Sequence, residues 1–390
     1  MKIAIVRREP RVAFSMDVYA DNLIAGLKII HPDWEIIEVA PQPWSDDLEN
    51  LWHTGNPLKK YAERFYHHPR AVNKIDADIF HIIDHTNAHV AYGLKKLGKP
   101  VVVTCHDLVQ YVYPEILKNQ SRFPALSMAM WQYSVKGIKA ADGAIAISTN
   151  TAQDVSKWLK VNPKQIAVVL NGVDSEFKVL GSQITADWKQ KYQQSSEEIC
   201  LLNVGSNHQR KNIDTVLKVL KAIAEQDLPV RLWRVGDGFT PEQQQFIDAH
   251  NLDKYITLFG KASQQELIQF YNAADILLAP SLYEGFGLTI LEAMGCGTPV
   301  ITANVSSLPE VAADAAVLVE PIDVDAMVEA IKQINDDATY RQDLIDRGLA
   351  RVKEFSWLKT AAQAASFYQK VVAKKRKVMS DFYLEQLNVF

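Results

Sequence analysis

Cysteine is scarce in this chain of 390 residues, which has three, all far apart. Cys105, Cys200 and Cys296 provide neither the paired spacing of a zinc site nor the even number expected of a disulfide framework. Each lies next to an apolar run, so we expect buried free thiols in a reducing compartment.

Long hydrophobic runs are also missing. No stretch approaches the roughly 18 apolar residues of a transmembrane helix. The first residues, MKIAIVRREP, hold an apolar run too short for a signal peptide. We therefore expect a cytoplasmic protein. The basic segment AKKRK (373–377) leaves two alternatives open, peripheral contact with the inner membrane face or a solvated helix end.

Neither sign of charge dominates, since 42 Lys and Arg stand against 46 Asp and Glu. That balance argues against a nucleic-acid partner. Hydrophobic residues make up 48% of the chain, which excludes disorder for most of it. The sequence says nothing about the oligomeric state.

Short β-branched runs alternate with longer amphipathic segments, which predicts an α/β fold with parallel sheets covered on both faces. Ten strands or more exceed one comfortable sheet. The predicted strands are KIAIV (2–6), DIFHII (78–83), VVVTC (101–105), GAIAIS (143–148), QIAVVL (165–170), ICLLNV (199–204), VRLWRV (230–235), YITLF (255–259), DILLAP (275–280) and PVITA (299–303).

A turn at NGVDSEF (171–177) divides these strands into two sets, and an aperiodic polar stretch (178–198) follows it. We expect two doubly wound, Rossmann-like domains, at 1–172 and 173–355, facing each other across a cleft. A helix and tail at 356–390 would return to the first domain. Such sheets bind ligands beyond the carboxyl ends of their strands.

The stretch APSLYEGFGLTILEAMGCGTPVIT (279–302) carries the strongest signal. Glycines precede a helix there, so the amides of Gly287, Leu288 and Thr289 and the helix dipole would form a phosphate site. Glu284 stands at its mouth, and Glu292 lies roughly 12 Å further along, within reach of a ribose. The alternative is a surface helix with one capping and one solvated glutamate.

A basic loop after another strand, VGSNHQRKN (204–212), places Arg210 and Lys211 at the same sheet edge. Two cations and a helix terminus can neutralise a pyrophosphate without metal. Ordinary solvated basic residues are the alternative.

Weaker signals come from VGDG (235–238) and FGK (259–261), which are plain turns unless they approach a ligand. His106 ends a buried strand and is either a proton carrier or a structural histidine. The basic and aromatic run ERFYHHPR (63–70) would meet an anionic or sugar acceptor, or form a solvated face.

No metal site is convincing. His81, Asp84, His85 and His89 share no face, and the pairs Asp76/Asp78 and Asp323/Asp325 precede a strand or cap a helix. GLKKLGKP (93–100) lacks the Ser or Thr of a P-loop, and no dinucleotide fingerprint is present.

The chain resembles the retaining glycosyltransferases of family 4, which have the GT-B fold. The resemblance rests on several motifs taken together: EGFGLTILE, GCGTPVI, RKN, VGDG, the NGVD junction and the last helix, which begins with FSW. The resemblance covers nearly the whole chain.

The resemblance implies acceptor binding by the first domain, a nucleotide-sugar donor in the second domain, and no cofactor or metal. Arg210 and Lys211 would hold the diphosphate, with the glycine turns at Gly205, Gly236 and Asp237 beside them. The remaining donor contacts would come from two groups of residues. These are Phe259, Gly260 and Lys261 near the base, and Glu284, Gly285, Phe286, Gly287, Leu288, Thr289 and Glu292 along the phosphates, sugar and ribose.

His106 and Glu284 would be catalytic, both beside the donor sugar. One departure from the family is RVAFSMDVY (11–19), where Phe14 and Ser15 replace a glycine pair and should hold that loop away from the phosphates.

We therefore expect a metal-independent hexosyltransferase that uses a UDP- or GDP-sugar and a glycan, glycolipid or small hydroxylated acceptor. Two alternatives are open. An epimerase of the same fold would convert the donor without an acceptor, and a non-catalytic protein would only bind it.

Overall fold

The computed structural model describes residues 1–10, 14–45, 52, 57–114, 124–192, 195 and 197–387. The chain forms two compact units. Unit 1 combines Met1–Gly172 with the segment that begins at Trp357, and unit 2 is Val173–Ser356. Among the described residues, no helix is long and apolar enough to cross a membrane.

Unit 1 is built on a parallel sheet of six strands in the order β2-β1-β3-β4-β5-β6. The order changes direction between β1 and β3, which makes their carboxyl ends the switch point where such sheets bind ligands. The strands are β1 (Lys2–Val6), β2 (Glu35–Val39), β3 (Ile79–Ile82), β4 (Val101–Cys105), β5 (Gly143–Ala146) and β6 (Ile166–Val168).

Helices surround this sheet because its central strands are apolar on both faces, with β3 and β4 buried throughout. They are α1 (Phe14–Ile30), α2 (Pro57–Ala62), α3 (His68–Asn73), α4 (Val90–Lys96), α5 (Val109–Val112), α6 (Pro124–Val135), α7 (Thr149–Leu159) and the final helix, α16 (Trp357–Leu387). A π-helical turn, Glu63–His67, joins α2 to α3, and a 3₁₀ turn, His85–Asn87, follows β3.

The final helix α16 belongs to unit 1 and packs on α1. Gly26 makes the close approach: a Cβ there would lie 2.7 Å from the Cβ of Ala361. A buried polar chain fixes α16 to the sheet. The Tyr368 hydroxyl lies 2.6 Å from His81 Nδ1, and His81 Nε2 lies 2.7 Å from the Thr104 hydroxyl. That hydroxyl is 3.0 Å from the hydroxyl of Tyr19 on α1.

Unit 2 has a second parallel six-stranded sheet, in the order β12-β11-β10-β7-β8-β9. Its switch point lies between β7 and β10, as in dinucleotide-binding folds. The strands are β7 (Ile199–Gly205), β8 (Val230–Gly236), β9 (Ile256–Phe259), β10 (Ile276–Ala279), β11 (Val300–Ala303) and β12 (Val317–Val319).

The helices of unit 2 lie in the connections between these strands and before and after the sheet. They are α8 (Ser182–Lys191), α9 (Ile213–Ala224), α10 (Pro241–Ala249), α11 (Gln264–Ala273), α12 (Leu288–Gly295), α13 (Leu308–Ala312), α14 (Val324–Asp336) and α15 (Ala338–Val352). The apolar faces of α9 and α14 bury Leu217, Leu220 and Ile331 in one core with β7 and β8.

The α/β fold predicted from the alternating pattern is confirmed, but several elements were not predicted, among them two strands and helix α8. The edge strand β2, EIIEV, has a glutamate at its start and another at its fourth position, and β12 has three residues, so neither forms an apolar run. Helix α8 occupies the stretch interpreted as aperiodic, with Trp188 as its one buried side chain.

Two further expectations concern residues near the start of the chain and the cysteines. Residues 11–13 lie outside the described residues, and Phe14 and Ser15 open α1 instead of standing in a loop. Cys105, Cys200 and Cys296 are buried and free, as predicted.

Candidate active site

The switch point of the unit 2 sheet brings together the two motifs that stood out in the sequence. The basic loop follows β7 and the EGFG loop follows β10, and these strands are neighbours. The backbone N–H of Leu282 donates to the carbonyl of Arg210 at 2.8 Å, so the loops are also bonded to each other. The predicted shared edge is therefore present.

Arg210 and Lys211 converge on one carboxylate. Arg210 Nη1 lies 2.6 Å from Glu284 Oε2, and Lys211 Nζ lies 2.7 Å from Glu284 Oε1. Glu284 is buried, and the two cations are largely covered. Two positive charges and one negative charge leave a net positive charge of about one at this point, before the dipole of α12 adds about half a charge more.

The electrostatics of Glu284 follow from this pairing. Burial alone would raise the pKa of the carboxyl group, but the charges of Arg210 and Lys211 and their hydrogen bonds lower the pKa to about 2. The group is therefore ionised at neutral pH. A carboxylate held this firmly is a fixed charge rather than a proton donor.

Three serine hydroxyls hold the EGFG loop in shape, and no sequence pattern pointed to any of them. Ser281 donates to Glu284 Oε1 at 2.9 Å, and Ser306 accepts from the Glu284 amide at 3.0 Å. The buried hydroxyl of Ser307 lies 2.9 Å from the carbonyls of both Glu284 and Phe286. The backbone at the head of α12 is thus fixed before any ligand binds.

Gly287 is the N-cap of α12 and has a φ of 108°, a conformation that side-chain-bearing residues rarely adopt. The amides of Leu288 and Thr289 follow in the first helical turn, where no intrahelical acceptor exists for them. Both residues are partly exposed. This geometry suits an anion, as the glycine spacing predicts.

Glu292 lies further along α12 and accepts a 2.8 Å hydrogen bond from the hydroxyl of Tyr271. Burial raises the pKa of Glu292, although the Tyr271 hydrogen bond and the charge of Lys211 oppose that shift. Lys211 therefore acts electrostatically on both glutamates of the motif. Tyr271, on α11, is a site residue that the sequence did not reveal, because it reads as an apolar core position.

The two glycine turns lie against each other at the ends of β7 and β8. Gly205 and Gly236 have φ values of 129° and 125°, and a Cβ on Gly236 would lie 2.1 Å from the Gly205 carbonyl oxygen. The Asp237 amide donates to that oxygen, and the Gly236 amide donates to the Gly260 carbonyl. This contact between the two strand ends requires glycine at position 236.

The three residues of the FGK segment differ in their surroundings. The Phe259 ring packs into an aromatic cluster and is 4.6 Å from Phe270 and 4.8 Å from Tyr192, centroid to centroid. Gly260 and Lys261 are exposed at the strand end. Only backbone atoms and Lys261 are therefore available to a ligand here, which fits the expectation that this segment offers backbone groups.

In unit 1, His106 follows β4 and is buried. Its Nε2 lies 2.7 Å from the carbonyl oxygen of Ile83, which makes Nε2 the protonated nitrogen and leaves the lone pair on Nδ1. Its backbone N–H donates to Nδ1 of His85, and the Tyr19 ring packs edge-on against the imidazole. Burial lowers the pKa of His106, so the ring is neutral.

The acidic and histidine clusters have structural partners. Asp84 accepts from the Thr86 amide and pairs with Arg8 at 3.0 Å, and Asp323 caps α14 as expected. Asp78 accepts from the Lys2 amide. Across the described part of the chain, no group of three His, Cys, Asp or Glu has the arrangement of a metal site.

Two of the four cations in the AKKRK segment also have partners. Lys375 pairs with Asp142 at 2.9 Å, and Arg376 with Asp78 at 3.3 Å. Both acids belong to unit 1, so the segment helps fix α16 to its own unit.

Two family models cover most of the chain. The model for glycosyltransferase family 4 matches residues 25–177, and the model for glycosyl transferases group 1 matches residues 185–351. The chain belongs to glycosyltransferase family 4. The resemblance inferred from the motifs is confirmed, and the first match falls within unit 1 apart from its last five residues, while the second lies within unit 2.

Relatives of this glycosyltransferase agree with that assignment. It is 26% identical over 372 residues to O-antigen chain mannosyltransferase B of Escherichia coli, covering 94% of this chain and 82% of the relative. Among solved structures, sucrose-phosphate synthase of Thermosynechococcus elongatus has a TM-score of 0.75 at 23% identity, with 96% and 100% of the two chains covered. Anabaena HepE, solved with UDP and glucose, has a TM-score of 0.71 at 17% identity, with 95% and 100% covered. The fold is of the GT-B type.

Proposed function

We propose that the protein is a retaining hexosyltransferase whose donor is a UDP- or GDP-sugar bound by unit 2. The convergence of Arg210 and Lys211 on Glu284 carries this proposal. A diphosphate brings about two negative charges, and this point of the molecule has a net positive charge beside first-turn amides of α12.

The remaining donor contacts follow from the same geometry. Glu292, with its carboxylate oriented by Tyr271, would accept hydrogen bonds from the ribose hydroxyls. The Gly205 and Gly236 turns would let the backbone approach the phosphates. Mannose is the first sugar to test, because the Escherichia coli relative is named a mannosyltransferase.

The reaction that suits this site is a front-side displacement. The bond between the sugar's anomeric carbon and the phosphate oxygen breaks, and a bond to the acceptor oxygen forms on the same face. The acceptor proton passes to the departing diphosphate. Arg210 and Lys211 would stabilise the charge that develops on that diphosphate. Glu284 would fix the sugar, since its low pKa suits a permanently ionised hydrogen-bond acceptor.

His106 would act from unit 1 through Nδ1, whose lone pair can accept a hydrogen bond from a sugar hydroxyl. A neutral ring with its tautomer fixed by Ile83 suits that role better than a charged one.

The deciding experiment is isothermal titration of the purified protein with UDP, GDP, ADP and their hexose conjugates, with and without EDTA. We expect one nucleotide to bind selectively and binding to survive chelation. Lys211→Gln should weaken binding, whereas Lys218→Gln, an exposed change on α9, should not. Binding that needs a divalent metal, or equal binding by both variants, would contradict the proposal.

Transfer itself is tested by product analysis. The donor that binds is incubated with candidate acceptors, and NMR of the product gives its anomeric configuration. An inverted configuration would rule out retention. Conversion of the donor without any acceptor would point to an epimerase, and tight donor binding without any reaction would point to a non-catalytic protein.

A further inference from the structure

A cavity of about 150 Å³ lies in unit 1 between two helical segments, far in the sequence from the donor motifs. One wall is α2 with its π-helical turn, and the other is one face of α6. Eight side chains line the cavity: Lys60, Tyr61, Arg64, Phe65, Ser127, Met130, Trp131 and Ser134.

The α6 wall is a single helical face. Ser127, Met130, Trp131 and Ser134 follow the i, i+3, i+4, i+7 spacing that places side chains on one side of a helix. A hydroxyl stands at each end of this face with apolar surface between them. The opposite wall has Lys60 and Arg64 one turn apart, so their cations also share a face.

The charge of the lining is positive throughout. Among the residues that the structure describes, Lys60 and Arg64 are its ionised members, and no carboxylate of that part of the chain lines it. Glu63, which belongs to the same helical segment, accepts a 2.9 Å hydrogen bond from the Gln42 amide and is not part of the lining. The cavity is therefore suited to an anion.

Two polar atoms in the lining have no hydrogen-bond partner in the described protein. They are the hydroxyl of Ser134, a residue only 1% exposed, and Nε of Arg64. Leaving such buried groups unsatisfied is unfavourable, so they are candidates to hold a polar ligand.

The cavity adjoins the part of unit 1 that holds His106. Arg64 Nη2 donates to the Thr86 carbonyl at 2.7 Å, and Thr86 lies in the 3₁₀ turn after β3. The first residue of that turn, His85, accepts the backbone N–H of His106. The cavity is thus next to the carboxyl ends of β3 and β4, where a sheet of this order binds ligands.

Size and lining together limit the ligand. A volume of about 150 Å³ holds the six atoms of one ring, because a cavity of that size binds benzene in another protein. The lining side chains of Lys60 and Tyr61 are exposed, so the substituents of a sugar ring can extend out of the cavity. Trp131 and Phe65 offer flat apolar faces, the serines offer hydroxyls, and the cations require negative charge.

We propose that this cavity binds the acceptor through a single sugar ring that carries an anionic group, phosphate or carboxylate. This specifies the acceptor class of the function proposed above and rests on it. Arg64 and Lys60 hold the anion, the Ser134 hydroxyl accepts or donates one sugar hydrogen bond, and Trp131 packs on the ring.

The test is isothermal titration with mannose 6-phosphate, glucuronate and neutral mannose. We expect at least one of the two anionic sugars to bind at least about tenfold more tightly than mannose, and Arg64→Gln and Lys60→Gln to remove that preference. The matched control is Lys59→Gln, an exposed lysine of α2 outside the lining. It should change affinity less than twofold.

Ser134→Ala separates ligand binding from folding. Its hydroxyl has no hydrogen-bond partner among the residues that the structure describes, so the variant should unfold at the wild-type temperature or above. Its affinity for the anionic sugar should fall about fivefold or more. Wild-type affinity in Ser134→Ala, Arg64→Gln and Lys60→Gln together would overturn the proposal. Equal binding of mannose and the anionic sugars would also overturn it.

Two further arms separate this site from other anion sites. Mannose 6-phosphate affinity should be unchanged in Lys211→Gln, which is altered at the donor site. Its loss there would assign the binding to unit 2 and overturn the proposal. The second arm is sedimentation with phosphatidylglycerol vesicles. If the protein sediments with the vesicles only when Arg64 is present, and binds neither anionic sugar, the ligand is a lipid headgroup and the proposed sugar acceptor is wrong.

Failure of this proposal is distinguishable from failure of the proposed function. Donor binding without anionic-sugar binding overturns the acceptor pocket alone. If anionic sugars bind but no nucleotide does, the proposed transferase function is wrong and the proposed sugar-binding cavity remains.

Discussion

The hydroxyl of Tyr271 donates a 2.8 Å hydrogen bond to Oε2 of Glu292 and so orients the carboxylate that we assign to the ribose. Tyr271 is fully buried, and its carbonyl also accepts from the Thr298 hydroxyl. The orientation of the Glu292 carboxylate is therefore determined by contacts in the core of unit 2.

Replacing Glu292 with Gln should weaken donor binding about 10- to 100-fold, because one charged hydrogen bond is worth about 1.5–3 kcal/mol. Tyr271→Phe keeps the carboxylate but frees it to rotate, so its effect should be smaller. Titration with the preferred nucleotide measures both. Unchanged donor affinity in Glu292→Gln would remove the ribose assignment.

Glu284→Gln should separate binding from turnover. The substitution frees Arg210 and Lys211 from a competing charge, so a nucleoside diphosphate should bind at least as tightly as to the wild type. Transfer should fall, since the fixed negative charge that we propose to hold the sugar is lost. Nucleotide that binds more weakly, together with wild-type turnover, would reverse these roles.

The same residue should give unit 2 an acid-sensitive stability. The Glu284 pKa is lowered from 4.5 to about 2 in the folded state, so its contribution is present above pH 4.5 and is lost as the pH falls towards 2. The full contribution is about 3 kcal/mol. Urea unfolding at pH 5 and pH 3 should show a smaller acid loss in Glu284→Gln than in the wild type. An equal loss of stability in the two proteins would mean that other groups cause the acid sensitivity.

His106→Ala should lower the turnover number about 100-fold or more with little change in donor affinity, because the ring belongs to unit 1 and its proposed role is in the reaction rather than in donor binding. Steady-state kinetics beside nucleotide titration give the two values. A loss confined to donor affinity would make His106 a binding residue only. Unfolding curves of the variant check that the buried site tolerates alanine.

Gly236→Ala should destabilise unit 2 by more than about 2 kcal/mol, since both the positive φ and the Gly205 carbonyl oppose a Cβ. Gly238→Ala, two residues later, is the matched control. A Cβ there meets only Leu258, at 3.8 Å. Urea denaturation compares the two variants, and equal stability would show that the Gly205–Gly236 contact relaxes at little cost.

Much of the fold could be predicted from the sequence because buried parallel strands are continuous apolar runs. The positions of β4 and β10 can be predicted from their own residues alone. β2 could not be, because its glutamates reflect an edge position that only the finished sheet defines. Predictions from local patterns therefore fail where the neighbouring strand decides what is exposed.

The site divides in the same way. The convergence of Arg210, Lys211 and Glu284 was predictable in outline, since each follows a strand and such strands end at one edge. The serine supports and Tyr271 were not. Ser307 acts through carbonyls 21 and 23 residues away in the sequence, and such contacts leave no periodicity to detect.

The return of α16 to unit 1 has a consequence for how the molecule is made. Tyr368 completes the buried chain to His81, 287 residues earlier. Unit 2 is continuous in sequence, so it can fold as soon as it leaves the ribosome. Unit 1 begins before unit 2 in the chain, yet it lacks α16 until unit 2 has been synthesised. Unit 1 can therefore complete its fold only after all of unit 2 has been synthesised. Until then, the face of α1 that packs on α16 is uncovered.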